Sequence, residues 1–297
     1  MSGLEARLPD VDALSAGLDR TGYLADESLA TALFLAVRMG QPILLEGEPG
    51  VGKTEVAKAL AEVLDTELIR LQCYEGLIAA EALYEWNYPR QLLGIRLAET
   101  RGEPLRDNDL FSREYLLSRP LLAAIEHPGP RPAVLLIDEV DRADDEFEAF
   151  LFEVLAESAV TIPELGTRRA VLPPVAVLTS NRTRDLHDAL RRRCLYHWIE
   201  YPGPDRVAAI IRRREPAASG SLAVAVAGAV ARLRGLELTK PPGVAEAISW
   251  AVALRTLGLG ELTPAAAGRT LGAVLKHQED EATARRAGLS TVVGRDD

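Results

Sequence analysis

Gly47-Glu48-Pro49-Gly50-Val51-Gly52-Lys53-Thr54 spaces three glycines, a lysine and a hydroxyl in the pattern of a phosphate-binding loop. Glycines allow successive backbone N–H groups to turn inward and cradle phosphate oxygens, helped by the positive end of the helix that follows. Lys53 suits the β- and γ-phosphates of ATP, and the Thr54 hydroxyl suits Mg²⁺. Residues 47–54, with Glu55 beside them, are the candidate nucleotide contacts.

Val134-Leu135-Leu136-Ile137-Asp138-Glu139 places two carboxylates at the end of an apolar run. Asp138 would hold Mg²⁺ through water, and Glu139 would orient and deprotonate an attacking water. Thr179-Ser180-Asn181 closes the next apolar run, so Asn181 can project toward the same crevice and hydrogen-bond that water or the γ-phosphate. In Leu190-Arg191-Arg192-Arg193-Cys194, a guanidinium could reach the γ-phosphate of a neighbouring subunit, for which a planar, always-charged fork is suited. The residues alone leave open which arginine that is. Plainer readings stand beside these: a turn-forming Asn181 and a solvated basic turn.

These residues need a parallel sheet to bring strand ends together. Pro42–Glu46, Glu67–Leu71, Ala133–Asp138, Val175–Thr179 and Leu195–Glu200 read as strands, and Leu29–Met39, Lys53–Leu64 and Asp144–Ala156 as helices. Strand, loop and helix around residues 42–71 make a βαβ unit. From Ala79 to Ile125 the pattern is helical but broken near Asn87-Tyr88-Pro89 and Gly102-Glu103-Pro104, as expected of an insertion; Tyr84, Trp86 and Tyr88 within it read as packing on the body. Residues 160–171 read as a hairpin. Beyond Tyr201-Pro202-Gly203-Pro204 only helices are expected, near 205–214, 221–234, 243–257 and 264–276.

The 297 residues, 47% hydrophobic and 26% charged, suit a folded globular chain. A net charge of -10 repels phosphate backbones and anionic membrane surfaces, so neither nucleic acid nor membrane is expected as a partner. Only Lys53, Lys58, Lys240 and Lys276 of the 34 basic residues are lysine, which makes any one arginine weak evidence. Cys73 and Cys194 have no metal-ligand spacing to each other or to a histidine, and read as structural thiols. With no leader-like start and no apolar run of membrane-spanning length, a cytoplasmic location is expected.

The ordered set of these motifs followed by helices resembles an AAA+ ATPase. Val160–Gly166, Thr179–Thr183 and Leu190–His197 resemble the MoxR family within it, in its CoxD-like branch, whose members work in bacterial carbon monoxide dehydrogenase maturation. The similarity covers roughly residues 22–277. It implies an α/β P-loop three-layer sandwich with a parallel central sheet, followed by a small all-α lid. The expected domains are an N-terminal extension (1–27), an ATPase domain (28–202) with an insert near 79–119 and a hairpin at 160–171, a lid (203–277) and a tail with a mobile end (278–297). It also implies that Asn181 is the sensor-1 position and Arg193 the arginine finger, with Arg192 second. The insert and hairpin then line the central face of a hexameric ring, with a VWA-domain protein as partner and a client enzyme as substrate. One departure stands out: Pro241-Pro242-Gly243-Val244-Ala245-Glu246-Ala247 carries no arginine where many relatives have sensor 2. Lys240 or an arginine elsewhere would replace it, or hydrolysis is coupled to the lid more weakly. A nucleotide-dependent assembly scaffold with slow hydrolysis is the alternative function, and a clamp-loader-like DNA machine a third.

Overall fold

The computed structural model describes residues 7–102 and 107–294. The chain forms two compact units, each assembled from separate stretches of sequence. The first takes the residues up to Leu14, Glu27–Glu46 and Ala57–His197; the second takes Ser15–Asp26, Gly47–Val56 and the chain from Trp198 onward.

The strands in chain order are β1 (Ile43–Gly47), β2 (Leu68–Gln72), β3 (Tyr84–Trp86), β4 (Leu116–Ser118), β5 (Val134–Asp138), β6 (Ala159–Ile162), β7 (Gly166–Arg169), β8 (Val175–Ser180) and β9 (Leu195–Ile199). Five of them form the central sheet in the order β2-β5-β8-β1-β9. The pairs β2–β5, β5–β8 and β8–β1 are parallel, with Gln72 opposite Asp138 and Glu46 opposite Ser180. Strands β1, β5 and β8 are buried along their whole length, as continuous apolar runs covered on both faces must be. Strands β2 and β9, at the two margins, alternate in burial instead. Parallel pairing sets the carboxyl ends of β1, β5 and β8 along one edge, where open α/β sheets bind ligands.

Between β2 and β5 lies an elaboration whose sequence pattern suggests only interrupted helix. It contains helices Ala79–Leu83 and Tyr88–Arg101 and a short antiparallel ribbon of β3 and β4. Three-residue strands are too short to declare a period, which is why the ribbon is invisible in sequence. Asn87 caps the longer helix by accepting from the Arg90 N–H at 3.1 Å, and Gly102 ends it in a left-handed conformation (φ 66°). Glu103 and Pro104 lie outside the described residues. Trp86 sits edge-on to Tyr84 (5.8 Å) and Phe111 (5.2 Å) in the buried core of this unit, while Tyr88 is exposed. Strands β6 and β7 form a hairpin, with Ile162 opposite Gly166.

The second unit is helical: Pro204–Arg214, Gly220–Arg234, Val244–Thr256, Pro264–Val274, Gln278–Ala287 and Leu289–Val293 surround the fully buried Trp250. Its indole N–H donates to the Thr270 hydroxyl at 2.7 Å, satisfying the polar end of an otherwise apolar group. In the stretch expected as a tail, residues 278–294 are helical: Ala284, Val292 and Val293 belong to this core, and buried Asp280 accepts from the Thr239 and Lys240 N–H groups. The charges of Gln278–Arg286 mask one buried face. The stretch expected as an N-terminal extension contains helix Val11–Arg20, started by Asp10 accepting from the Ala13 N–H at 2.8 Å. Among the described residues, no helix is long and apolar enough to cross a membrane.

Candidate functional site

The loop after β1 is shaped by its backbone. Gly50 (φ +80°) and Gly52 (φ +99°) adopt left-handed conformations open to glycine, and a Cβ on Gly47 would stand 2.5 Å from the Ile199 carbonyl oxygen. Lys53 begins helix Lys53–Leu64; its buried ammonium donates to the carbonyls of Gly47 (2.7 Å) and Glu48 (2.9 Å), closing the loop on itself. Thr54 and Glu55 follow in the first turn, and Glu55 pairs with Arg214 at 2.8 Å.

Helix Val244–Thr256 starts against this loop. The Val244 N–H donates to the Gly50 carbonyl at 3.0 Å, and the Glu246 carboxylate accepts from the Gly243 N–H at 2.9 Å, so the first turn presents a capping glutamate. Arg234, at the end of the preceding helix, pairs with Glu48, donates to the Pro242 carbonyl at 3.0 Å and stacks 3.8 Å from the Tyr201 ring centroid. Burial pushes the Tyr201 phenol up to about 12 despite that guanidinium. A cavity of about 170 Å³ beside the loop is lined by Pro49, Gly50, Lys240, Pro241, Gly243 and Lys276, among others.

At the end of β5 the geometry is made by side chains. The Thr179 hydroxyl donates to Asp138 Oδ1 at 2.5 Å and accepts from the Glu139 N–H at 2.9 Å, tying both acids to the end of β8. The Arg70 guanidinium, from β2, donates to Asp138 Oδ2 through Nε (3.0 Å) and Nη2 (2.6 Å). Glu139 has a left-handed backbone (φ 55°), and its carboxylate, about one-third exposed, meets Arg142 at 3.2 Å. Asp141 is buried and gathers the turn after β8, accepting from the N–H groups of Asn181 (3.2 Å) and Thr183 (2.8 Å) and from the Thr183 hydroxyl (2.7 Å). Its Oδ1 is buried without a hydrogen-bond partner. Burial pushes the nearby Cys73 thiol up to about 12, with the charges of Asp138, Asp141, Glu139 and Glu148 adding to the shift.

Helix Asp188–Arg193 carries the arginine run. Arg191 turns inward to Glu46 at 3.5 Å, whose side chain is only 2% exposed and also meets the Tyr196 hydroxyl (3.1 Å) and Arg182 (3.7 Å). Arg193 is exposed and donates to the Ala156 carbonyl at 3.3 Å. Arg192 is also exposed, its side chain 84% exposed and 3.9 Å from Asp188. Cys194, pushed up to about 12 by burial, and Cys73 are both free thiols.

Residues 42–194, more than half of the chain, match the AAA domain (dynein-related subfamily). The chain belongs to this family of AAA+ ATPases. This AAA protein is 31% identical over 160 residues to Lon protease of Halothermothrix orenii, across 49% of its own length and 17% of that protein. It is 26% identical over 191 residues to an uncharacterized protein of Staphylococcus aureus (strain bovine RF122 / ET3-1), covering 62% of its own chain and 64% of the relative. The chain therefore spans less than two thirds of the length of these curated relatives. Its fold is similar to that of RuvB, the Holliday junction branch migration motor of Thermotoga maritima, with a TM-score of 0.50 at 18% identity over 91% of this chain and 80% of RuvB.

Within the first unit of the AAA protein, Asp138, Glu139 and the turn holding Asn181 are brought together through Thr179 and Asp141. The loop residues 47–55 lie in the second unit, with Arg214, Arg234 and Glu246. Sequence reasoning passes over Arg70, Thr179, Glu46 and Arg234, and leaves Asp141, with Arg142, Asp144 and Asp145, open between an intersubunit contact and a solvated helix start. For Glu46 a signal exists, since an acid ending a fully apolar strand needs a partner. For the others the partners lie too far along the chain for spacing to reveal them.

Proposed function

We propose that this AAA protein binds ATP with Mg²⁺ and hydrolyses it to remodel or help mature a client protein, as a MoxR-type ATPase of the CoxD-like branch working with a VWA-domain partner. The observation carrying the hydrolytic part is the Thr179 bridge, which fixes a buried Asp138 and a reachable Glu139 in one arrangement. The residues fit the nucleotide and its cation: Gly50 and Gly52 hold left-handed angles that let successive N–H groups turn inward, and Asp138 supplies carboxylate oxygens of the kind a divalent cation takes. Thr54 and Asp138 would hold Mg²⁺, which supplies neutralising charge at the β- and γ-phosphates. The backbone N–H groups of residues 50–54 and the Lys53 ammonium would bind phosphate oxygens. Glu139 takes the proton of the attacking water, and Asn181 orients that water.

In this reading residues 28–202 are the ATPase domain, 203–277 the lid, and the insert near 79–119 and the hairpin at 160–171 face the client. AAA+ ATPases commonly oligomerise, and a hexamer gives the arginine run its purpose. Arg191 pairs with Glu46, which supports Arg193 as the finger with Arg192 second, both of them exposed. Separate Arg192→Ala and Arg193→Ala variants decide: the finger variant loses turnover and keeps nucleotide binding by the isolated subunit.

The test of the mechanism is Glu139→Gln, expected to retain binding of a fluorescent ATP analogue while turnover falls by about 100-fold or more. Wild-type hydrolysis by that variant would sink it. A slow-hydrolysing assembly scaffold is the second reading, favoured by the capping Glu246 in the turn where an arginine sensor is absent. If hydrolysis is fast, Lys240, which lines the cavity beside Gly50, or an arginine elsewhere is the replacement sensor. The likeness to RuvB is one of fold and carries no DNA role here, and the charge of -10 opposes one.

A further inference from the structure

Asp138 is a buried acid whose two oxygens have different partners. Oδ1 takes the Thr179 hydroxyl at 2.5 Å, while Oδ2 takes two N–H groups of a single guanidinium, Arg70 Nε at 3.0 Å and Nη2 at 2.6 Å. The strand register explains how Arg70 gets there. Gln72 is the residue of β2 opposite Asp138, and Arg70 stands two positions earlier on the same face, so its side chain runs along the strand to the carboxylate. On the way Nη2 also meets the Gln72 side-chain oxygen.

The two partners differ sharply in solvation. The Asp138 side chain is 5% exposed, whereas that of Arg70 is 50% exposed. A buried carboxylate needs positive charge close by, but a half-solvated guanidinium can swing into water with little desolvation to regain. We infer that Arg70 is a positioning residue that holds Asp138 Oδ2 as a stand-in cation and gives way when a divalent cation arrives with the nucleotide. This rests on the reading that Asp138 serves Mg²⁺. Arg70 then holds Asp138 in one rotamer and tied to Thr179 while the metal is away, and competes with the metal for the same oxygen. The Mg²⁺ concentration at which the site fills is thereby set from β2, a strand outside the recognised motifs.

The experiment measures Mn²⁺ binding to the full chain in the presence of ADP by electron paramagnetic resonance, so that turnover plays no part. Arg70→Gln is expected to lower the half-saturating Mn²⁺ concentration about 5- to 10-fold and to leave metal-free ADP affinity unchanged. Arg70→Lys keeps the charge but loses the fork, and should fall between the two. A merely structural role for Arg70 predicts no gain in metal affinity, so an unchanged or raised half-saturating concentration overturns the proposal. If Arg70→Gln fails to fold, Arg70→Lys is read by the same rule. Asp138→Asn serves as control: if it leaves Mn²⁺ binding at the wild-type level, the reading of Asp138 itself falls and the proposal with it. A shift in Asp138→Asn without one in the Arg70 variants overturns the proposal alone.

Discussion

The loop at residues 47–54 and the carboxylate cluster at the end of β5 are built by different means. In the loop the determinants are backbone: left-handed angles at Gly50 and Gly52, and close backbone approaches at Gly47 and Gly50. Its lysine bonds to main-chain carbonyls a few residues away. In the cluster the determinants are side chains drawn from three strands, with Thr179 lying 41 residues from Asp138 and Arg70 lying 68 from it in the other direction. A backbone-built site is robust to changes of neighbouring side chains and fragile to the addition of a single Cβ. A side-chain-built site has the opposite profile.

The largest expected effect tests the side chain proposed to bind phosphate in the loop. Lys53→Ala should weaken ATP binding about 100-fold, by calorimetry or analogue fluorescence, because a buried charge-assisted contact to phosphate is lost. Binding at wild-type strength would place the phosphate elsewhere and end the comparison. Next comes Thr179→Val, which keeps the shape and removes the bridge. Turnover should drop about 10-fold while the ATP dissociation constant changes little, since the Glu139 N–H is left without its acceptor. An equal loss in binding would show that the cluster and loop are not separable in this way. The smallest effect is Gly52→Ala. An added Cβ there meets only ordinary contact, 3.9 Å from Tyr23, so the backbone alone should destabilise the fold by about 1–2 kcal/mol in denaturant melts. Unaltered stability would mean that the loop's glycines answer to something other than their angles.

The same contrast explains what the sequence disclosed. The loop could be read directly, because glycine spacing records backbone need within a single short motif. The three central strands could be read too, since full burial of β1, β5 and β8 demands unbroken apolar runs. Asp138 and Glu139 were visible as acids at a strand end, but nothing in their spacing pointed to Arg70 or Thr179. Those partners exist only once β2, β5 and β8 lie side by side. Asp141 illustrates the limit: beside Asp144 and Asp145 it reads equally as an intersubunit contact or a solvated acid, yet it is buried and organises the Asn181 turn. Helix Gln278–Ala287 escaped notice for a related reason, its buried Asp280 and Ala284 being outnumbered by the charges around them.

Glu139 joins the two modes of construction, for the proposed general base is a side chain set on a backbone angle that glycine favours. A glycine at this position would relax the main chain by an amount on the order of 1 kcal/mol, partly offset by its greater freedom when unfolded, and would delete the carboxylate. Drift toward a sturdier fold and retention of the reaction therefore pull this single codon in opposite directions. A descendant freed from the need to hydrolyse nucleotide has a downhill route at residue 139, and an acid held there against that slope is a mark of continued use.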